Sequence, residues 1–168
     1  MQSSVLKSGS YAAQLSETST SGSYAYASRT LATAPTDLDV SGDFDTTVEG
    51  ASGGNVRFVR LFDPSGTLVV SLYRQNGSGV VGLQYPANGP YLTTSGSVPL
   101  STWAHVELHV VTAGSGASTV QVWLNGSPIY QTTTASLGAA GVATVQIGNN
   151  VVAQTFTQVV DNVVVGTG

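Results

Sequence analysis

The sequence predicts an all-β protein, a two-sheet antiparallel sandwich built as one domain, and three observations carry that expectation. Half of the 168 residues are Val (24), Ser (21), Thr (20) or Gly (20), types that favour strands and turns over helices. Short runs rich in Val, Tyr, Phe and Thr are interrupted every 8 to 12 residues or so by Gly, Asn-Gly or Pro-Ser-Gly, the spacing of an antiparallel sandwich or barrel. No segment carries helical apolar periodicity, and the length suits a single core of about 150 residues.

Taken in order, strands are expected at 10–15, 23–32, 37–48, 55–63, 67–75, 79–85, 103–113, 117–125, 128–134, 142–148 and 155–165. In the strand 23–32, Tyr24 and Tyr26 share a face that is expected to be core, with a second stacking surface as the alternative. The strand 37–48 carries Asp37, Asp39, Asp43 and Asp45. As an EF-hand loop it fails, because the twelfth position is Val48 where a bidentate Glu is needed. It reads instead as a strand whose acids alternate outward, interrupted by a bulge at Ser41-Gly42. Asp63-Pro64-Ser65-Gly66 is a type I turn joining 55–63 to 67–75, and Asn125-Gly126 closes a hairpin of the I′ kind. The stretch from Ala87 to Ser101, with two prolines and no clear alternation, reads as a long loop or crossover. Asn76-Gly77-Ser78 and Asn125-Gly126-Ser127 match the glycosylation pattern but read as turns.

Composition excludes several classes. Five basic and nine acidic residues, a net charge of −4, leave no basic footprint for nucleic acid or anionic lipid. No run of about 18 apolar residues exists, so membrane insertion by a helix is not expected. The absence of cysteine removes disulfides, thiol chemistry and Cys-ligated metals. Together with few Lys and many Ser, Thr and Gly, it suggests a bacterial exported domain, extracellular or at the cell surface. The start lacks a signal peptide and Gly166-Thr167-Gly168 resembles the beginning of a linker, so the chain is expected to be one module of a longer polypeptide with neighbouring domains or subunits.

The candidate site follows from strand parity. His105, Glu107 and His109 fall at i, i+2 and i+4 and share a face with Trp103, while Val106, Leu108 and Val110 take the other. Gln121 and Trp123 likewise alternate with Val120, Val122 and Leu124. Tyr73 alternates with Leu68, Val70 and Leu72, and Arg60 shares parity with Phe58 and Phe62, which leaves its facing open. On an exposed face, Trp and Tyr stack on a pyranose ring while His, Glu, Gln and Arg hydrogen-bond its hydroxyls. The bland alternative is a solvated polar sheet face. As a metal pair the two histidines are roughly 13 Å apart along the strand, too far to share one ion.

The order Ser101-Thr102-Trp103-Ala104-His105-Val106-Glu107-Leu108, Val120 to Gly126, Val145-Gln146-Ile147-Gly148 and Val160-Asp161-Asn162-Val163-Val164-Val165 resembles the concanavalin A-like lectin/glucanase superfamily, close to its laminin-G-like members. Gly9 to Leu15 resembles the first strand of that family. The resemblance implies a jelly roll and places the strands at 103–113 and 117–125 side by side, so that His105, Glu107, His109, Gln121 and Trp123, with Tyr73 and Arg60, would form one ligand-binding surface. It leaves function open among lectins, carbohydrate-binding modules, adhesion domains, glycosidases and lyases. The Glu-x-Asp-x-x-Glu stretch of the glycosidases is absent, and so are the characteristic lyase motifs. Related jelly rolls often hold a structural calcium, for which Asp161 and Glu17 are the residues to inspect. The function expected is therefore a non-catalytic glycan-binding or adhesion module. The alternatives are a structural packing module of an extracellular assembly or, further off, a polysaccharide lyase or hydrolase.

Overall fold

The computed structural model describes residues 1–86, 88–150 and 154–168. Among the described residues twelve strands form two antiparallel sheets, and none is helical. In chain order they are β1 (Ala13–Glu17), β2 (Ala25–Thr30), β3 (Asp37–Glu49), β4 (Asn55–Phe62), β5 (Leu68–Gln75), β6 (Val80–Gln84), β7 (Tyr91–Ser97), β8 (Ala104–Val111), β9 (Ser118–Leu124), β10 (Ser127–Ala135), β11 (Thr144–Asn149) and β12 (Phe156–Thr167). The first sheet runs β1-β12-β3-β8-β9-β10 and the second β2-β11-β4-β5-β6-β7.

Each strand turns one set of alternate residues to the space between the sheets. Leu38, Val40 and Phe44 of β3, Val106, Leu108 and Val110 of β8, and Val120 and Val122 of β9 meet Phe58, Val59 and Leu61 of β4 and Val70 and Leu72 of β5, all within a few per cent of fully buried. Phe44 and Phe58 touch across the core with ring centroids 5.0 Å apart.

The two hairpins form as the sequence predicts. The Gly66 amide donates to the Asp63 carbonyl over 3.0 Å, and Asn125 and Gly126 have φ of 51° and 77°, as a type I′ turn requires.

Four expectations are corrected. The stretch read as a loop from Ala87, a residue outside the described ones, contains β7. Pro90 and Pro99 flank this edge strand rather than interrupt it, and only one of its sides needs a partner, β6. The expected bulge at Ser41-Gly42 belongs to the partner strand: β3 pairs with β8 in unbroken register, and the shift lies in β12 between Asp161 and Val164, where Asn162 has φ 51°. Of the acids expected to point to solvent, Asp43 and Asp45 are buried (5% and 4% exposed). Tyr24 and Tyr26, expected in the core, are half-exposed at the sheet edge that β2 forms.

Candidate functional site

The outer face of the first sheet gathers most of the residues predicted from parity. β8 alternates strictly between buried Val106, Leu108 and Val110 and partly exposed His105, Glu107 and His109. Register sets Glu107 beside Trp123 and His109 beside Gln121 on β9, and Asp39 and Asp43 of β3 beside His109 and His105. His109 Nδ1 lies 2.9 Å from Gln121 Oε1 and Nε2 lies 2.9 Å from Asp37 Oδ1. Burial alone would lower the His109 pKa. The hydrogen bonds to Gln121 and Asp37 and the charges of Asp39 and Asp37 outweigh it and hold the value above the usual imidazole range. His105 Nδ1 stands 3.1 Å from Asp43 Oδ1, whose partner oxygen accepts from Asn162 Nδ2 over 2.8 Å.

Asp161 and Glu17 are engaged otherwise. Asp161 accepts the backbone amides of Lys7, Ser8 and Asn162 and so pins the N-terminal segment to β12. Glu17, 2% exposed, accepts from Asn149 Nδ2 and the Gln154 amide; burial raises its pKa against the pull of those two bonds.

Tyr73 and Arg60 do not join that surface. They stand on β5 and β4 of the second sheet, so the single continuous surface expected from the sequence is two surfaces on opposite sides of the sandwich. The facing of Arg60 is settled by a β-bulge. The β4–β5 register shifts between Arg57 and Val59, so Phe58 and Val59, adjacent in sequence, both enter the core. Arg57 and Arg60, three residues apart, then share the outer face, and Arg60 sits over the Phe62 ring at 4.9 Å.

On that face the register builds a polar row across all six strands. Ser28 pairs with Gln146, Gln146 with Arg60, Arg60 with Ser71, Ser71 with Gln84 and Gln84 with Tyr91. Five strand spacings of about 4.8 Å make the row roughly 24 Å long. The neighbouring row sets Arg57 beside Tyr73, Tyr73 beside Gly82 and Gly82 beside Thr93. The Tyr73 ring lies flat on Gly82, where a Cβ would come within 2.5 Å of it. The Arg57 guanidinium sits over Tyr73 at 5.1 Å and Tyr91 at 5.9 Å.

The electrostatics of the two faces are opposite. Of the nine acids, all but Asp63 lie on strands of the first sheet, which carry no Lys or Arg. Of the five basic residues, all but Lys7 lie on strands of the second, which carry no Asp or Glu. Arg74 is neutralised by Glu49 and donates to the Val98 carbonyl over 2.7 Å. Arg57 and Arg60 have no carboxylate partner among the described residues. Arg60 donates to Gln146 Oε1 and Asn150 Oδ1, yet Arg57 Nε and Nη1, Arg60 Nε and the Ser71 hydroxyl are buried without a hydrogen bond. Burial, and then the like charge of Arg57, pull the Arg60 pKa down to about 10, so its guanidinium remains charged at neutral pH. Burial likewise raises the Tyr73 phenol. Parity reasoning missed Arg57, Gln146, Ser71, Gln84 and Tyr91; the Arg-x-x-Arg spacing became a shared face only through the bulge.

Neither a family model nor a curated protein matches the chain at the sequence level. Similarity appears in the fold. An endo-β-1,4-glucuronan lyase from the fungus Trichoderma reesei superposes with a TM-score of 0.72 at 13% identity, covering 99% of this chain and 85% of that one. Cellulose induced protein Cip1 gives 0.74 at 16% identity, over 99% and 84%. A mutant of alginate lyase Aly36B in complex with alginate trisaccharide gives 0.65 at 15% identity, over 94% and 81%.

Proposed function

We infer that this jelly-roll sandwich belongs to the concanavalin A-like lectin/glucanase superfamily, a reading supported by similar structures that include polysaccharide lyases and a cellulose-induced protein. On that premise, we propose that this chain is a non-catalytic module that binds an acidic polysaccharide across the outer face of the second sheet, as part of a secreted or cell-surface protein. The observation that carries the reading is the pair Arg57 and Arg60: two charged guanidinium groups with no carboxylate partner, set beside Tyr73 and Tyr91 in a polar row that crosses the sheet. A guanidinium fork matches the planar carboxylate of a uronic acid in two parallel hydrogen bonds. The exposed Tyr91 ring offers the flat apolar surface on which a pyranose stacks, and half-buried Gln84 supplies a partner for hydroxyls above the buried Gln146 and Ser71. The acid-rich first sheet would repel the same ligand. A glucuronan lyase and an alginate-bound lyase among the similar structures make a polyuronate the first ligand to try.

The groups on this face also speak against turnover. Abstracting a proton beside a uronate carboxylate needs a base that titrates near neutral pH. Both histidines of the chain lie on β8, on the opposite sheet, and the Tyr73 phenol is shifted away from neutrality.

Calorimetric titration with oligomers of glucuronate and mannuronate, against a neutral cello-oligosaccharide, tests the proposal. Acidic oligomers are expected to bind and neutral ones not, with Arg57→Met weakening binding about tenfold or more and Trp123→Ala leaving it unchanged. Binding that survives Arg57→Met with Arg60→Met and is lost in Trp123→Ala would move the site to the first sheet. Failure of every glycan to bind would favour a packing module. Release of unsaturated uronate, abolished by Tyr73→Phe, would make the protein a lyase.

A further inference from the structure

We propose that the outer face of the first sheet holds a divalent transition-metal site formed by Asp37, Asp39 and His109, with Gln121 as the residue that orients the imidazole. Three donors, one carboxylate oxygen from each aspartate and a ring nitrogen of His109, already lie within 4.8 Å of one another. They come from two adjacent strands: Asp39 is directly opposite His109, and Asp37, two residues along β3, falls on the same face. Bonds of about 2.0–2.2 Å to one ion would set the donors roughly 3–3.5 Å apart. The 2.9 Å approach of Asp37 Oδ1 to His109 Nε2 is already that close, and Asp39, an exposed side chain, is free to swing in.

The chemistry of the donor set points to the class of ion. Gln121 Oε1, 2.9 Å from His109 Nδ1, accepts from it, and Nε2 faces Asp37 Oδ1 at 2.9 Å; an ion seated between the aspartates and Nε2 would take the place of the proton there while Gln121 keeps Nδ1 protonated. This is the arrangement in which an outer residue fixes the tautomer of a metal-binding histidine. Imidazole selects zinc, nickel or copper over calcium and magnesium, which take oxygen ligands. Two carboxylates and a neutral imidazole leave two negative charges for a divalent ion to neutralise, and no Lys or Arg on this sheet competes for them. His105 is not so placed: its Nδ1 faces Asp43, whose second oxygen is occupied by Asn162, and its Nε2 is 3.9 Å from Glu107. The two histidines are too far apart along the strand to share one ion. One of them instead finds its partners across the strand pair.

The test adds zinc, nickel or calcium chloride to the whole chain and follows both imidazoles by nitrogen-15 NMR beside calorimetry. One equivalent of zinc or nickel is expected to shift His109 Nε2, to leave Nδ1 protonated and His105 unmoved, and to be outcompeted by calcium only at large excess. His109→Gln and Asp39→Asn should each weaken binding about tenfold or more, and His105→Gln should not. Asp39 is exposed, so Asp39→Asn carries the test if His109→Gln does not fold, as judged by circular dichroism. No stoichiometric binding, binding centred on His105, preference for calcium, or unchanged affinity in Asp39→Asn would overturn the proposal. Glycan binding is measured without metal, so either reading can fail alone.

Discussion

Arg57 and Arg74 are both arginines buried against the second sheet, 6% and 2% exposed, yet the structure treats them in opposite ways. Arg74 meets Glu49, the Val98 carbonyl and the end of β3, so its charge is answered from within the fold. Arg57 has two aromatic faces and no acid, with Nε and Nη1 unbonded. An unpaired buried charge costs stability, and an apolar side chain of similar volume removes the cost. Arg57→Met is therefore expected to raise the melting temperature, by roughly 2–4 °C for each 1 kcal/mol gained, while weakening polyuronate binding about tenfold or more. Arg74→Met strands Glu49 and should cost about 3 kcal/mol, a fall of roughly 6–12 °C. Calorimetric melts of the two variants check the contrast; a destabilised Arg57→Met would mean that Arg57 has a structural role and would weaken its assignment to a ligand. Arg60 was visible in the sequence as a candidate and Arg57 was not. What hid Arg57 is backbone geometry: a bulge at Phe58-Val59 inverts the parity on which the reading of strand 55–63 depends.

Among the elements, those with local signals were legible. The β4–β5 turn is one: Asp63 accepts from the Ser65 amide, the Ser65 hydroxyl and the Thr67 amide at 2.6 to 2.9 Å. The Ser65 hydroxyl leads in holding the Asp63 carboxyl below its ordinary range; burial opposes it, and the Thr67, Ser65 and Gly66 amides add to the lowering. A carboxylate with a lowered folded-state pKa stabilises above its unfolded value, near 3.8, and loses that contribution as pH falls through the lowered one. Asp63→Ala should thus cost no more than about 1 kcal/mol at pH 7, with the gap to the parent closing as the melts are carried below the ordinary carboxylate range. A gap that widened on acidification would contradict the assignment. β7 was illegible for the converse reason. An edge strand is fixed by its single neighbour, and although Tyr91–Ser97 alternates in burial, its inward positions after Leu92 are Thr94 and Gly96, which leave no apolar period to read. The β8 and β9 faces were readable from period-2 alternation alone; that β3 brings Asp37 and Asp39 alongside His109 depends on long-range register, which local sequence does not encode.

For the whole molecule, the organising feature is the separation of charge between two sheets with one apolar core between them. Eight acids on the first sheet and four arginines on the second give the sandwich an acidic face suited to cations and a basic, aromatic face suited to an anionic glycan. The sign of the net charge, −4, conceals this, because the sum discards position. The two-sheet fold was legible from composition and turn spacing, but the assignment of strands to sheets was not. Tyr73 and Arg60 were therefore placed beside Trp123 when they stand across the core from it. The most direct test of the account is an amide chemical-shift map of the nitrogen-15-labelled chain titrated with a short oligouronate at low and high salt. Perturbations are expected along β4, β5, β7 and β11, around Arg57, Arg60, Tyr73, Tyr91 and Gln146, and affinity should fall as salt screens the arginines. Perturbations centred on His105, Glu107, Gln121 and Trp123, or binding indifferent to salt, would contradict it.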